Sequence, residues 1–340
     1  MKAVVVQAFG AIDAVRAQDW PDPVPGDDGV VVDVMAAGVN FSDLLVIGGQ
    51  YQVLPPLPFV PGEEAAGVVS AVGQGVDSCR VGDRVFVLVD RGAYAERVLA
   101  PQASCFVLPA AMGFLEAAGF GLAFQTAHYA LVDRANLQPG EVVFVTGAGG
   151  GVGLACVRLA KALGAQVLAG VGSAGKESAA RDAGADAIVN LSGARLRDSI
   201  PDDVRARTDG KGADVVVEVV GGDVFEGAFR SLAWRGRLVV VGFAGGQIPR
   251  IAANRILLRN VAVIGLNSSD YRERDPQWMR RVQCELFALH EKGLLRGRPA
   301  GSFALEDAAR ALAQLRDRRA TGKIVLTTDR WREREAESCS

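Results

Sequence analysis

Glu141-Val142-Val143-Phe144-Val145-Thr146-Gly147-Ala148-Gly149-Gly150-Gly151-Val152-Gly153-Leu154 is an apolar strand running into a burst of glycines. An apolar helix is expected to open at Leu154 and to read on through Val157, Leu159, Ala160 and Leu163. Strand, glycine turn and helix, in that order, are the context that a dinucleotide fingerprint requires. Gly147 allows the tight turn, Gly149 to Gly151 let the backbone approach a pyrophosphate, and Gly153 lets the helix pack closely on the strand. The first-turn N–H groups then face the phosphates at the positive end of the helix dipole. Gly147, Ala148, Gly150, Gly151, Val152 and Gly153 are therefore the candidate phosphate-side residues. Without the flanking strand and helix, the same run would read as an ordinary turn.

The second strand selects the dinucleotide. An NAD-binding fold usually carries an acid about 20 residues past the glycines, for the ribose hydroxyls. Here Gln166-Val167-Leu168-Ala169-Gly170-Val171 ends in Gly172-Ser173-Ala174-Gly175-Lys176, with no Asp or Glu. A small residue, a hydroxyl and an ammonium leave room for a 2′-phosphate, which favours NADPH, with Ser173 and Lys176 as its contacts. The competing reading is that Ser173 caps the helix starting at Ala174 and that Lys176 is a solvated charge.

Working outward, the chain changes character along its length. Residues 1–110 read as short β segments with Gly/Pro punctuation, such as Val30–Val34, Gly67–Val72 and Arg84–Val89. Turns such as Val81-Gly82-Asp83 separate them. No helix alternates with them, so an all-β unit, a partly closed barrel, is expected. From about 112 helices and strands alternate. Strands are expected at Val142–Thr146, Gln166–Val171, Ala187–Val189, Val215–Val219, Arg237–Val241 and Val261–Ile264, which makes a Rossmann-type, six-stranded, doubly wound parallel sheet. Helices follow at Pro276–Lys292 and Leu305–Arg318. A last strand, Lys323–Thr327, has no obvious place in the nucleotide domain. The charged tail Asp329–Glu335 is expected to fray.

Bulk properties fit a cytoplasmic enzyme. The chain has 340 residues, a length that suggests two domains, and its 49% hydrophobic content suffices for real cores. Lys and Arg number 37 against 39 Asp and Glu, so no nucleic-acid or anionic-membrane partner is indicated. Cys79, Cys105, Cys156, Cys284 and Cys339 are scattered, odd in number and lack C-x-x-C spacing, so neither a disulfide framework nor a zinc cluster is indicated. The first residues lack the long apolar core of a signal peptide, and no stretch reaches the ~18 apolar residues of a membrane span.

Several motifs carry a resemblance. They are Ala37-Gly38-Val39-Asn40-Phe41-Ser42-Asp43, Pro61-Gly62-Glu63-Glu64-Ala65-Ala66-Gly67-Val68-Val69, Val81-Gly82-Asp83-Arg84-Val85, Gly92-Ala93-Tyr94-Ala95-Glu96, Thr126-Ala127-His128-Tyr129-Ala130-Leu131, the glycine run, and Ala320-Thr321-Gly322-Lys323-Ile324-Val325-Leu326. In this order and spacing the chain resembles the medium-chain dehydrogenase/reductase superfamily, and within it the zinc-independent quinone oxidoreductase branch. The resemblance implies a GroES-like catalytic β domain from 1–121, a Rossmann domain from 122–268 and a return to the catalytic domain over 269–340. It also implies a homodimer, with the flat apolar edge Val261–Gly265 pairing across a twofold.

Zinc-dependent alcohol dehydrogenases of this superfamily place a Cys where this chain has Asn40 and a His where it has Glu63. A catalytic zinc needs about three converging N, S or O ligands. Glu63 and Asp43 offer oxygens, but no Cys or His joins them, and His128 and His290 read as surface or packing residues. The cysteine-rich lobe expected after Gly92–Val98 is missing too, so no metal is expected. Without a Lewis acid, hydride addition to a polarised acceptor remains feasible: a quinone, or the β-carbon of an α,β-unsaturated carbonyl. The resemblance places Asn40 and Tyr51 at the substrate face as catalytic candidates, each able to donate a hydrogen bond to the developing oxygen. The alternative makes Asn40 a turn residue and Tyr51 a packing aromatic.

The resemblance also implies further cofactor contacts. Thr126 lies near the nicotinamide, and Gly242, Phe243, Leu266 and Asn267 run along its ribose and carboxamide. Lys323 reaches the pyrophosphate and Arg319 the 2′-phosphate. Leu191 departs from the pattern, because relatives carry a tyrosine there that packs at the 2′-phosphate. Two other functions compete: an enoyl-thioester reductase, for which Arg272, Arg274, Arg280 and Arg281 offer a basic rim, and a non-enzymatic NADPH-binding protein.

Overall fold

The computed structural model describes residues 1–10 and 12–338. The chain divides into two compact units, Met1–Leu122 with Asp275–Ser340, and Ala123–Arg274. The nucleotide unit therefore keeps the short helix Ser268–Arg274, beyond the expected boundary at 268. Tyr271 holds that helix in place by stacking on Tyr129, with ring centroids 3.9 Å apart.

In the second unit six parallel strands lie in the order Ala187–Asn190, Gln166–Val171, Val142–Val145, Ala213–Glu218, Leu232–Val240, Ala262–Gly265. The central strands are near-continuous Val/Phe/Leu runs because both faces are covered. Phe144, Leu168, Val216, Phe225, Phe229 and Leu238 form one buried core there. The chain reverses its direction of winding between Val142–Val145 and Ala213–Glu218. At that switch point the carboxyl ends of adjacent strands diverge and open a crevice for ligands. The helix after the glycines spans Gly151–Ala162, three residues earlier than expected. Glycine's poor propensity is overridden here by close packing of the first helical turn.

The first unit holds a mixed sheet in the order Gly301–Ala304, Ile324–Thr327, Gly29–Val39, Glu64–Val72, Arg84–Leu88, Cys105–Val107. Arg97–Pro101 pairs with the other end of Gly29–Val39. A two-stranded sheet, Lys2–Val5 with Arg16–Asp19, stands beside it. The strand with no obvious place thus belongs here. Ile324–Thr327 runs antiparallel to Gly29–Val39, with Ile324 opposite Val39 and Val325 opposite Gly38. That register sets Lys323 next to Asn40.

Two expectations fail in this unit. It is not purely β, because Phe41–Ile47 forms a helix that buries Leu44 and Ile47. The tail does not fray either: Asp329–Ser338 is helical. Arg330 pairs with Asp33 at 3.1 Å, and the Trp331 ring meets Phe114 edge-on at 6.3 Å. Arg332 also pairs with Glu306 at 3.5 Å, so one aromatic and two ion pairs give an otherwise polar helix a docking face.

Candidate active site

The polar centre of the first unit is built where three pieces of chain meet: the end of Gly29–Val39, the start of Glu64–Val72 and the residue preceding Ile324–Thr327. Glu64 is fully buried and Lys323 is 8% exposed. Lys323 Nζ donates to Glu64 Oε1 at 2.5 Å and to Asn40 Oδ1. Glu64 also accepts from the Leu122 N–H at 2.8 Å and from Asn40 Nδ2 at 3.2 Å. A buried ion pair survives desolvation only when further hydrogen bonds satisfy its remaining lone pairs, and these contacts do so.

Two of the candidates meet in this arrangement. The Asn40 amide oxygen faces an ammonium, so its nitrogen must point the other way, toward Glu64 and toward the Gly38 carbonyl at 3.4 Å. Both amide hydrogens are directed at protein acceptors, which leaves none aimed at an acceptor substrate. Lys323, which the resemblance sends to a pyrophosphate, is held beside Asn40 and paired with Glu64, because its charge at this depth needs a carboxylate. Of its three N–H groups, two are committed among the described residues. Tyr51 is half-buried in the bend after helix Phe41–Ile47.

A second set of groups sits behind Asn40. Asp43 Oδ2 accepts from the Tyr94 hydroxyl at 2.6 Å and from the Asn40 N–H at 2.8 Å. Burial, and next the Glu63 charge, push the Asp43 carboxyl up to about 7, against the pull of those two donors. Burial also raises the Tyr94 phenol well above its ordinary value. Ser42 Oγ donates to Glu63 Oε2 at 2.6 Å. Sequence reasoning missed Glu64, Asp43 and Tyr94 as a set. All three lie inside quoted motifs, but only the folded register shows that they share partners.

In the second unit the glycine loop has the shape that a pyrophosphate needs. Gly147 sits at φ +60°, and a Cβ there would come within 2.6 Å of Val219. A Cβ on Gly153 would stand 2.3 Å from the Gly147 carbonyl oxygen, so only glycine lets the helix seat on the loop. Ala148 is buried and its N–H donates to Gly170 at 2.9 Å. Gly150 precedes the helix and has no side chain to cap it. The N–H groups of Gly151, Val152 and Gly153, the first three helical residues, thus have no intrahelical acceptor and suit an anion.

Ser173 is exposed and its side chain makes no capping hydrogen bond; the turn is closed by its carbonyl, which accepts from Lys176 N–H at 3.1 Å. The Lys176 methylenes lie against Gly149, where a Cβ would approach them to 2.6 Å. Lys176 is thereby brought to the glycine loop. Leu191 packs over Gly170 with no polar atom to offer. Gly242 and Phe243 follow Leu232–Val240 and are half-buried. Leu266 N–H donates to Val240 at 3.0 Å, while Asn267 is exposed and bonded to Asp270 at 2.8 Å. Thr126 is buried on helix Phe114–His128, and Arg319 is exposed after helix Ala308–Arg316 in the first unit.

Another residue at this end went unnoticed. Glu218, fully buried, accepts from the N–H groups of Val220 (2.9 Å) and Gly221 (3.0 Å) and from Thr146 Oγ1 (3.1 Å). It ties the carboxyl ends of the two strands that flank the switch point, and burial raises its carboxyl pKa. The arginines offered as a basic rim are partly committed elsewhere. Arg280 points at the carbonyls of Gln102, Ala103 and Cys105, Arg281 lies over Trp278, and Arg274 pairs with Asp270.

Among the described residues no group of three or more His, Cys, Asp or Glu side chains is placed to hold a metal, and no helix is long and apolar enough to cross a membrane.

The comparisons with known proteins agree with this architecture. The alcohol dehydrogenase GroES-like domain family matches residues 26–137, and the zinc-binding dehydrogenase family matches 151–283. A quinone oxidoreductase-like protein 2 homolog of Nematostella vectensis is 39% identical over 308 residues, covering 89% of this chain and 82% of the relative. A mycobacterial protein solved in complex with NADPH superposes with a TM-score of 0.90 at 33% identity, covering 96% of this chain and 100% of its own. An Escherichia coli quinone oxidoreductase, also solved with NADPH, has a TM-score of 0.87 at 29% identity, again covering 96% and 100%. With matches of this extent on both units, the chain belongs to the quinone oxidoreductase branch of the medium-chain dehydrogenase/reductase superfamily.

Proposed function

We propose that this protein is an NADPH-dependent, metal-free reductase that delivers hydride to a quinone or to the activated C=C of an α,β-unsaturated carbonyl. The observation that carries the reading is the Lys323–Asn40–Glu64 cluster. At the position where zinc-dependent relatives place a cysteine, an amide receives an ammonium. The neutral amide is a poor metal ligand, its oxygen is already occupied, and Glu63 is engaged by Ser42. A fixed cation there suits an acceptor whose oxygen gains negative charge.

The second unit fits the cofactor, through the Gly147–Gly153 cradle, with Ser173 and Lys176 favouring the 2′-phosphate. NADPH supplies the hydride. The chain's own residues handle the oxygen that becomes enolate or quinolate. Lys323 offers its third N–H to that oxygen, and Tyr51 offers its hydroxyl. Asn40 is a positioning residue, which with Glu64 holds the ammonium at one place and orientation. The ammonium stabilises the oxyanion, and solvent completes protonation.

The test is NADPH oxidation against quinones, enals and enoyl-CoAs in parallel, before and after dialysis against a strong chelator. Turnover with a quinone or enal, unchanged by the chelator, is expected. Stoichiometric zinc with chelator-sensitive activity would defeat the metal-free mechanism. Preference for enoyl-CoA would move the assignment to thioester reduction, and oxidation of NADPH by none of them would leave a binding protein.

A further inference from the structure

The cysteines look unrelated in sequence, yet Cys79 Sγ and Cys105 Sγ stand 3.8 Å apart in the first unit. We propose that these two thiols form a reversible disulfide in response to small oxidants, a modification site independent of the reductase chemistry.

The local structure brings them together deliberately. Cys79 lies in the irregular loop between strands Glu64–Val72 and Arg84–Leu88, and Cys105 opens strand Cys105–Val107. Gln102 clamps the loop onto the turn just before Cys105: its amide nitrogen donates to the Gly75 carbonyl at 3.0 Å, and its amide oxygen accepts from the Asp77 N–H at 3.2 Å. The sulfurs are therefore in contact already, and closing to about 2.05 Å needs a shift only in a segment with no ladder hydrogen bonds of its own. Neither sulfur is in a metal cluster or in the polar centre around Lys323.

The two thiols are unequal, and the inequality sets the order of events. Cys79 is half-exposed, whereas Cys105 is buried. Burial, followed by the neighbouring Cys79 and by Asp83, pushes the Cys105 thiol up, while the Arg280 guanidinium opposes this. Cys79 is therefore the entry point. Its thiolate attacks one sulfur of a small disulfide such as oxidised glutathione, whose S–S bond breaks and releases one glutathione thiolate. Cys105 then surrenders its proton to solvent and attacks Cys79 Sγ, and the second glutathione leaves as thiolate. Two protein thiols lose two electrons, and one small disulfide becomes two thiols. Arg280, whose Nη1 lies 3.3 Å from the Cys105 carbonyl oxygen, is the cation placed to favour the second thiolate.

The experiment incubates the native protein with oxidised glutathione, quenches with acid, digests without reduction and reads the peptides by mass spectrometry. A peptide pair joined through Cys79 and Cys105 is expected, lighter by two hydrogens than the free peptides and released by dithiothreitol. Labelling of the unfolded chain should then fall from five thiols toward three. The Cys105→Ser variant should stall with glutathione on Cys79, and Cys79→Ser should leave Cys105 unmodified. Glutathione remaining on wild-type Cys79 without transfer to Cys105, or no modification of either, would overturn the proposal. NADPH oxidation by the reduced protein, measured alongside, keeps this outcome separate from that of the proposed function.

Discussion

Lys323→Met puts the organisation of the active face to the test. It removes the ammonium and leaves Glu64 with no exposed surface and, among the described residues, two donors, Leu122 N–H at 2.8 Å and Asn40 Nδ2 at 3.2 Å. Removing one partner of a buried ion pair costs about 3–5 kcal/mol, because the surviving charge is uncompensated. In the first unit this should lower the unfolding transition by on the order of 10 °C. The loss should depend on pH in a definite sense. Asp43, already pushed up to about 7 by burial and the Glu63 charge, loses the Lys323 charge that lowers it, so its carboxyl rises further. A carboxyl raised by folding contributes stability that is present below the unfolded pKa and is lost as pH climbs through the folded one. The deficit relative to the parent should therefore be smaller near pH 5 than near pH 8. Lys323→Met with Glu64→Gln should recover most of it, because no charge is then left buried. Urea unfolding followed by circular dichroism at both pH values measures each quantity. A single variant within about 0.5 kcal/mol of the parent at the higher pH, the spread of an ordinary surface change, would refute the buried pair. A deficit equal at both would refute the coupling of Lys323 to Asp43.

Three further outcomes are expected. Asp43, raised to about 7, favours the fold below its unfolded pKa and progressively less as pH rises toward neutrality, so Asp43→Asn should flatten the stability profile across that window; parallel profiles for variant and parent would contradict it. A phosphate contact by Ser173 and Lys176 is worth about 1.5–3 kcal/mol, so calorimetry should find NADPH bound more than tenfold tighter than NADH, with the order reversed in Ser173→Asp; equal affinities count against the assignment. Strand Ala262–Gly265 ends its sheet, and Trp234, Leu257 and Leu258 are exposed in the same unit, so light scattering should give a dimer mass that Val263→Lys reduces to a monomer; a monomeric parent would end that proposal.

What was legible in the sequence followed from local rules. The parallel strands announced themselves because burial on both faces forces unbroken apolar runs, and the glycine loop because three separate steric demands fall within seven residues. Helix Phe41–Ile47 escaped notice because it is less than two turns long, too short for a periodicity, even though Asn40 and Asp43 form a capping box at its start. The tail helix escaped because its support, Asp33 and Phe114, is far away in sequence. The same limit hid the chemistry. Asn40 and Lys323 are separated by 283 positions, and a one-residue slip of Ile324–Thr327 against Gly29–Val39 would turn every side chain of that strand to the other face. Each motif named a residue type that can donate a hydrogen bond, but strand register decides which of them is still free to do so. Asn40 spends its amide on holding a lysine, and an ammonium stands where the motif alone suggested an asparagine donor.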